Sequence, residues 1–528
     1  MAEQMHWARW GNPDHRADLP ESAWKLLEFA FGPRQDTPGV ALSEVRVAAP
    51  ALNLAVLDAF RGVLGPDGVS VDRDARIQHT RGKSTPDLLR IRSGDVSDAP
   101  DAVLRPRSHS DVVKLLELCS EHRVAVVPYG GGTSVVGGLA ARRDGYAGVV
   151  ALDMAGLNAL ADLDTVSGVA TLGAGLLGPQ AEALLAEHGY TLGHFPQSFE
   201  YASIGGFAAT RSSGQASSGY GRFDAMVVGL TVATPVGTLT LGSSPSSAAG
   251  PDLRELVLGS EGAFGVITEV ALRVRPLPEE RIYETWRFPT FTAGRDAMRA
   301  LVQAGLRPTV LRLSDEAETA INLAKPSDVG GRSGGGCLMV TGYEGEVAQN
   351  SRTRTAVTGA LSAAGGDCLG AEDGEQWAEG RFHGPYLRDI LLDHGVLVET
   401  LETATFWSNV GELYSSVKHA LESALAEQDT PAIVLCHISH VYETGASLYF
   451  TVAARQLEDP IAQWDAAKKA ASDAMISSGA TITHHHAVGR DHKPWFAQEI
   501  GPVGVEILRA VKERIDPNGI MNPGVLIP

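Results

Sequence analysis

The stretch that most constrains the fold is VAVVPYGGGTSVVGGL (124–139), a short apolar run that passes without a polar break into a loop of glycines and small residues. The run VAVVP fits a strand buried on both faces. A loop of small residues behind such a strand exposes successive backbone N–H groups, which make a concave anion site without cationic side chains. It is not G-x-x-x-x-G-K-[ST], so it carries no P-loop lysine, nor is it G-x-G-x-x-G after the first strand of a dinucleotide fold. Taken alone, the loop reads equally well as a tight turn. Its neighbours give it a context. VLRPRS (103–108) reads as a strand into a turn, and DVVKLLELCSEH (111–122) as a helix opened by Asp111. GVVALD, GVATLG and AMVVGLTVATPVG read as further strands around a helix at GPQAEALLAEHG (178–189), and GAFGVITEVALRVRPLP (262–278) closes the series.

Two more small-residue segments follow the loop: YASIGGFAATRSSGQASSGYGRFDAMV (201–227) and EGAFGVIT (261–268). Three backbone-rich segments can line one long ligand from pyrophosphate to ring. In this order the trio resembles the FAD-binding domain of the vanillyl-alcohol oxidase (PCMH-type) flavoproteins, over about residues 98–278. The resemblance implies FAD contacts along Pro128, Tyr129, Gly130, Gly131, Gly132, Thr133 and Ser134 in the first segment. In the second it implies Gln197, Ser198, Ser203, Ile204, Gly205, Gly206, Thr210, Arg211 and Ser213, and in the third Glu261, Gly262, Gly265, Val266 and Ile267. The first loop holds no histidine or cysteine to tether a flavin, so noncovalent FAD is expected.

The expected fold class is mixed α/β (α+β): a PCMH-type, two-subdomain FAD-binding domain and an α+β cap domain with a central antiparallel sheet. The expected divisions are a largely helical N-terminal extension (1–97), the FAD domain (98–278), the cap (279–480) and a C-terminal return (481–528). The extension holds ESAWKLLEFAFG (21–32), which clusters Trp24, Leu27, Phe29 and Phe31. Without a Lys/Arg-rich polar face it reads as a helix packed on its own protein before it reads as an interfacial helix. The cap contains a glycine-rich stretch (328–337), and the last helix is expected to stop at Pro517.

Bulk properties exclude partners. The formal net charge is −19 with no basic block, which argues against nucleic acid and against purely electrostatic binding to anionic lipid. Cys119, Cys337, Cys368 and Cys436 are scattered and lack C-x-x-C spacing, which fits a reducing compartment and offers no thiolate metal site. No signal peptide, membrane-spanning apolar run or SKL-type ending is recognised, so a cytoplasmic protein is expected.

One late segment, TITHHHAVGRDH (481–492), sets His484, His485 and His486 side by side. Alternation along an extended chain would put His484 and His486 on one face and His485 on the other. From these residues alone, a metal site, an active site and ordinary packing all stay open; zinc would need a third protein ligand. HTRGKSTPDLLRIRSG (79–94), YLRD (386–389), ETLETATFW (399–407), CHISHVYETGASLYF (436–450) and THHHAVG (483–489) together resemble the alkyldihydroxyacetonephosphate synthases, nearly end to end. That resemblance implies exchange of the acyl chain of acyl-dihydroxyacetone phosphate for a fatty alcohol, without net redox, through a bond between the substrate carbon and flavin N5. It implies Tyr449 as acid/base, Arg388 as phosphate anchor, and His484, His485 and His486 as the groups that stabilise developing charge. No metal is expected. Peripheral membrane contact and a homodimer complete the expected partners. The tail DPNGIMNPGVLIP is nearer to FAD-linked oxidases of D-lactate and glycolate, which keeps a 2-hydroxy-acid oxidoreductase as the alternative. Against it, His440–Ser447 lacks the Asp and Asn of the H-x-G-D-G-N-x-H segment usual in those oxidases. A flavin-binding scaffold without catalysis is a third reading, disfavoured by the intact Tyr/His/Arg set.

Overall fold

In the computed structural model, residues 5–12, 19–140, 142–321 and 335–528 are described. The glycine-rich stretch 328–337 falls mostly outside them.

The strand Val124–Tyr129 pairs in parallel with Gly148–Asp153, and that strand in parallel with Ala102–Leu104. Parallel strands need covering on both faces. The helix His109–His122 supplies one cover, burying Val112, Leu115, Leu116 and Cys119 at helical spacing; its first turn is capped by Ser108, whose hydroxyl accepts from the Asp111 N–H. The two-residue strand Val69–Ser70 closes one edge of this sheet in antiparallel sense. At the other edge the C-terminal segment runs alongside: the Val126 N–H donates to Ile520 O and the Asn522 N–H to Val126 O. A second, five-stranded antiparallel sheet is ordered Leu160–Asp164, Val169–Gly173, Val266–Arg273, Val227–Thr234, Gly237–Leu241. These two sheets are the two subdomains of the FAD lobe.

The cap is a seven-stranded antiparallel sheet, ordered Asp367–Gly370, Glu280–Phe288, Cys337–Gly345, Val310–Ser314, Ala432–Ile438, Gly445–Arg455, Val396–Phe406. The helices Phe291–Gln303, Val410–Ala426 and Pro460–Ser477 pack into its largest apolar cluster, which includes the fully buried Trp286 and Trp464. The sheet's other face looks toward the FAD lobe. The last long helix, Lys493–Ile515, is bent at Gly501–Pro502 and ends one residue before Asp516, so Pro517 lies just beyond it.

Candidate active site

A cavity of about 530 Å³ lies between the lobes. Its FAD-lobe wall is backbone. The three small-residue segments converge here, and contact is so close that a Cβ on Gly131 would lie 1.5 Å from the Tyr201 carbonyl oxygen, while one on Gly130 would lie 2.2 Å from Ser203 Oγ. Gly131 is therefore small because the first segment packs directly on the second, not only because phosphate must approach. Ser203 caps the helix Ile204–Thr210 by accepting from the Gly206 N–H, which aims that helix's N-terminus into the wall. Buried polar atoms stand there without a partner, Gln197 Nε2 and Gln215 Oε1. A long ligand with phosphate and ring carbonyl and N–H groups fits a wall of this kind.

Nearly all the residues expected along the cofactor line this cavity. Two do not. Ile204 is fully buried in an apolar cluster, its N–H bonded to Leu176 O. Arg211 turns away in a left-handed conformation, its guanidinium engaged by Leu258 O and Glu255. Glu261 does line the wall, but its carboxylate faces the histidine loop, accepting from the N–H groups of Val488 and Gly489. Burial pushes its pKa up to about 7, against the two backbone bonds.

The cap wall is built from side chains. Cross-strand register sets Glu402, Tyr449 and His437 in one row across three neighbouring strands. The Tyr449 ring stacks on His437 at 4.8 Å and on His485 at 6.1 Å, and meets His486 edge-on at 5.6 Å. Burial pushes the Tyr449 hydroxyl up to about 12, with a hydrogen bond to Thr400 opposing. His437 Nδ1 lies 3.0 Å from Glu318 and 3.0 Å from Arg312, and Arg312 also pairs with Glu318.

The triple histidine corrects the alternation expected of it. The segment is not a strand: the N–H groups of His484, His485 and His486 all donate to the Glu402 carboxylate at 2.6, 3.1 and 2.9 Å, which an extended chain cannot do because successive N–H groups point to opposite sides. The side chains fan out. The adjacent pair His485 and His486 line the cavity, and His484 is buried behind them, bonded to the Tyr442 hydroxyl and to His485 Nδ1. Burial lowers the pKa of all three imidazoles, His486 to about 4, against the Glu402 charge. Among the described residues, His440, His484 and His485 bring ring nitrogens within 4.8 Å of one another, the geometry of a candidate metal group. His440 Nδ1 is already 2.7 Å from Ser217 Oγ, and both nitrogens of His484 have partners.

Arg388 lines the cavity with part of its fork in use. Nε and Nη2 donate to Asp389 at 3.3 and 3.2 Å, and Nη1 to Lys83 O at 2.6 Å, leaving a donor on each Nη. Lys83 is buried with Nζ on the carbonyls of His6 and Trp7; burial lowers its pKa to about 8. Asp389 also takes the Trp10 N–H, so Trp10, edge-on to Tyr201 at 5.8 Å, forms part of the cavity wall. The far arm of the cavity is apolar, lined by Leu27 of the helix Glu21–Phe31 and by Leu391, Ile433 and Ala453.

Sequence reading missed Glu402, Glu318, Arg312 and the working partners of His437 and His440. Glu402 had a signal: with Glu399 it is one of two carboxylates inside the apolar strand VLVETLETATF (396–406), where a buried charge requires partners. The others converge from distant segments and had none.

Comparison with known proteins agrees with this geometry. Residues 100–242 match a family model described as an FAD binding domain, and residues 277–526 one described as the C-terminal domain of FAD linked oxidases. FAD is the cofactor, in keeping with both matches. The alkyldihydroxyacetonephosphate synthase of Trypanosoma brucei brucei is 35% identical, covering 95% of this chain and 85% of the relative; that of Dictyostelium discoideum is 34% identical, covering 93% and 84%. A solved alkyldihydroxyacetonephosphate synthase superposes with TM-score 0.84 at 30% identity, over 98% of each chain. A p-cresol methylhydroxylase shares the fold at TM-score 0.68 and 16% identity, over 91% of this chain and 98% of the other. Backbone wall, Tyr/His/Arg cluster and end-to-end similarity converge, and the chain belongs to the alkyldihydroxyacetonephosphate synthase family.

Proposed function

We propose that the protein exchanges the acyl chain of acyl-dihydroxyacetone phosphate for a fatty alcohol, without net redox. The observation that carries this reading is one cavity joining a flavin wall, an arginine with free donors, a tyrosine–histidine cluster and an apolar arm. When bound, FAD supplies an electron-accepting ring that can hold the reacting carbon reversibly. The protein does the rest. Arg388 binds the phosphate with its remaining donors. The apolar arm takes the alkyl chains.

Tyr449 exchanges the proton on the carbon that carries the acyl group. At a pKa of about 12 it stands as a phenol near neutral pH, with only about one molecule in 10⁴–10⁵ ionised. It therefore takes up a proton only as its own is drawn off, a task we assign to the neutral imidazoles of His485 and His486 that pack around its ring, since His437 is engaged by Glu318 and Arg312. They also donate toward the ketone oxygen and the departing carboxylate. On this reading the histidines work without a metal and the FAD is not covalently tethered. The chain divides functionally near residues 98, 279 and 481. Peripheral membrane contact belongs to the same proposal, with Phe29, 91% exposed on the helix that carries Leu27, as its contact residue; a homodimer is its oligomeric state.

Incubating the FAD-loaded enzyme with acyl-dihydroxyacetone phosphate and a long-chain alcohol under argon tests the reaction. Ether product with the flavin still oxidised is expected. Bleaching of the flavin by a 2-hydroxy acid, with no ether formed, overturns the proposal in favour of an oxidoreductase.

A further inference from the structure

The loop that carries the histidines has no regular structure of its own. Its backbone is held instead by two buried carboxylates, one from each lobe. From the cap strand Val396–Phe406, Glu402 collects the N–H groups of His484, His485 and His486 and the Thr483 hydroxyl, the last at 2.6 Å. From the third cofactor segment, Glu261 collects the N–H groups of Val488 at 3.1 Å and of Gly489 at 3.0 and 2.9 Å. The chain turns at two positive-φ residues, Ala487 at +74° between the two sets of donors and Gly489 at +55° at the end of the second. A Cβ on Gly489 would lie 1.9 Å from the Val136 carbonyl oxygen, so this turn is pressed against the glycine-loop segment as well. Alanine in that region is strained, and such a conformation persists only where the surroundings over-determine it.

We propose that Glu402 and Glu261 are positioning residues that clamp the loop 483–489 from opposite sides, and that Glu402 determines where His485 and His486 stand over Tyr449. Glu402 is 2% exposed and does not line the cavity, so it acts through the imidazoles and not on substrate. Burial by itself would raise its pKa, but interaction with His485, His486 and His484 and the Thr483 bond hold it well below the usual carboxylate range. The carboxylate spreads four donors over two accepting oxygens, whereas a neutral amide would offer one accepting oxygen and an NH₂ donor. The same clamp ties the histidines to the FAD wall: Glu261 sits in the segment that lines the cofactor, and Asn522 Nδ2 donates to the Glu261 carbonyl at 2.7 Å and to Gly138 O at 3.1 Å.

The catalytic consequence rests on the synthase reading; the clamp itself does not. The test is Glu402→Gln in the FAD-loaded enzyme, which keeps the side chain's size and turns an NH₂ group toward at least one of the loop's donors. With the imidazoles displaced, kcat is expected to fall about 100-fold, the loss that a misplacement of about 1 Å produces. KM and bound FAD should stay within about threefold, the same split by which misplacement alone is recognised. A variant that loses thermal stability but keeps kcat overturns the proposal. Should the variant fail to fold, hydrogen exchange on the wild-type FAD-loaded enzyme decides: the amides of His484–His486, Val488 and Gly489 are expected among the slowly exchanging set, and rapid exchange overturns the clamp. If the wild type makes no ether, the synthase reading falls, while the exchange measurement still decides the clamp.

Discussion

The two walls of the cavity are made of different materials. On the FAD-lobe side the chain offers its backbone: Gly130, Gly131, Gly205 and Gly206 bring peptide groups to the surface, and segments about seventy residues apart touch with no side chain between them. On the other side the surface is side chains: Tyr449, His437 and Arg312 from the cap sheet, Arg388 from the helix Gly384–Asp393, and His485 and His486 from a loop held by buried Glu402. A backbone wall tolerates no added volume, because peptide groups cannot move aside as a flexible side chain can. A side-chain wall tolerates small changes of volume but depends on every partner of every charge. Substitutions should therefore fail abruptly on one side and in graded, separable ways on the other.

The largest effect is expected at Gly131. Replacing it with Val drives a side chain into the Tyr201 carbonyl, 1.5 Å from where Cβ would stand, and backbone cannot yield as a flexible side chain does. Purified Gly131→Val should carry no flavin, read from its visible absorbance, while acid precipitation of the wild type should release all its colour into the supernatant. A yellow Gly131→Val protein would break the distinction between the walls. Next comes Tyr449→Phe, which keeps ring stacking on His437 and removes only the hydroxyl; kcat should fall by about 10²–10⁴ with FAD retained. Deuterium wash-out from the substrate carbon sharpens this: exchange at the wild-type rate in Tyr449→Phe would assign the proton to the histidines.

A smaller effect is expected at Arg388. Lysine keeps the charge, but it loses the fork that serves Asp389 and Lys83 O while reaching for phosphate. Loss of one charge-assisted bond raises KM about 10-fold. Smaller again is a pH effect at the junction of the walls. Glu261 has a folded pKa of about 7, above the ordinary carboxyl value of 4.5. A raised carboxyl contributes stability that is complete below its unfolded pKa and is lost as pH rises through 7. Between pH 5 and 8.5 this amounts to a loss on the order of 2 kcal/mol. The melting temperature of the wild type should fall by a few degrees over that range, and that of Glu261→Gln should fall less. Last, chelation should change nothing. Elemental analysis is expected to find no stoichiometric zinc or manganese; metal at His440, His484 and His485, lost together with activity, would make part of the side-chain wall a metal centre.

The same contrast explains what could be read from sequence. Backbone walls are written locally: a glycine loop after a buried strand carries its own geometry, and most of its expected contacts lie in the cavity. Ile204 and Arg211 fall outside the cavity because a short helix turns successive residues in different directions, which the run of small residues does not reveal. The cap sheet was legible as a class, but its row of Glu402, Tyr449 and His437 depends on the register of three strands, one of them, Val396–Phe406, separated from the other two by a long helix. His484–His486 were visible as a motif and wrong in posture, since nothing in TITHHHAVG says that three N–H groups will converge on one carboxylate from eighty residues earlier.

Trp10 raises a matter of timing. Its partner Asp389 lies 379 residues further along the chain. At a synthesis rate of about 5–20 residues per second, the two are separated by roughly 20–75 s on the ribosome. Throughout that interval the stretch around Trp10 has only its partners in the FAD lobe and its extension, Lys83 Nζ on the carbonyls of His6 and Trp7 and the edge of Tyr201 against the indole. The bond to Asp389 is thus a late contact, and that side of the cavity wall is finished only after the helix Gly384–Asp393 has been translated.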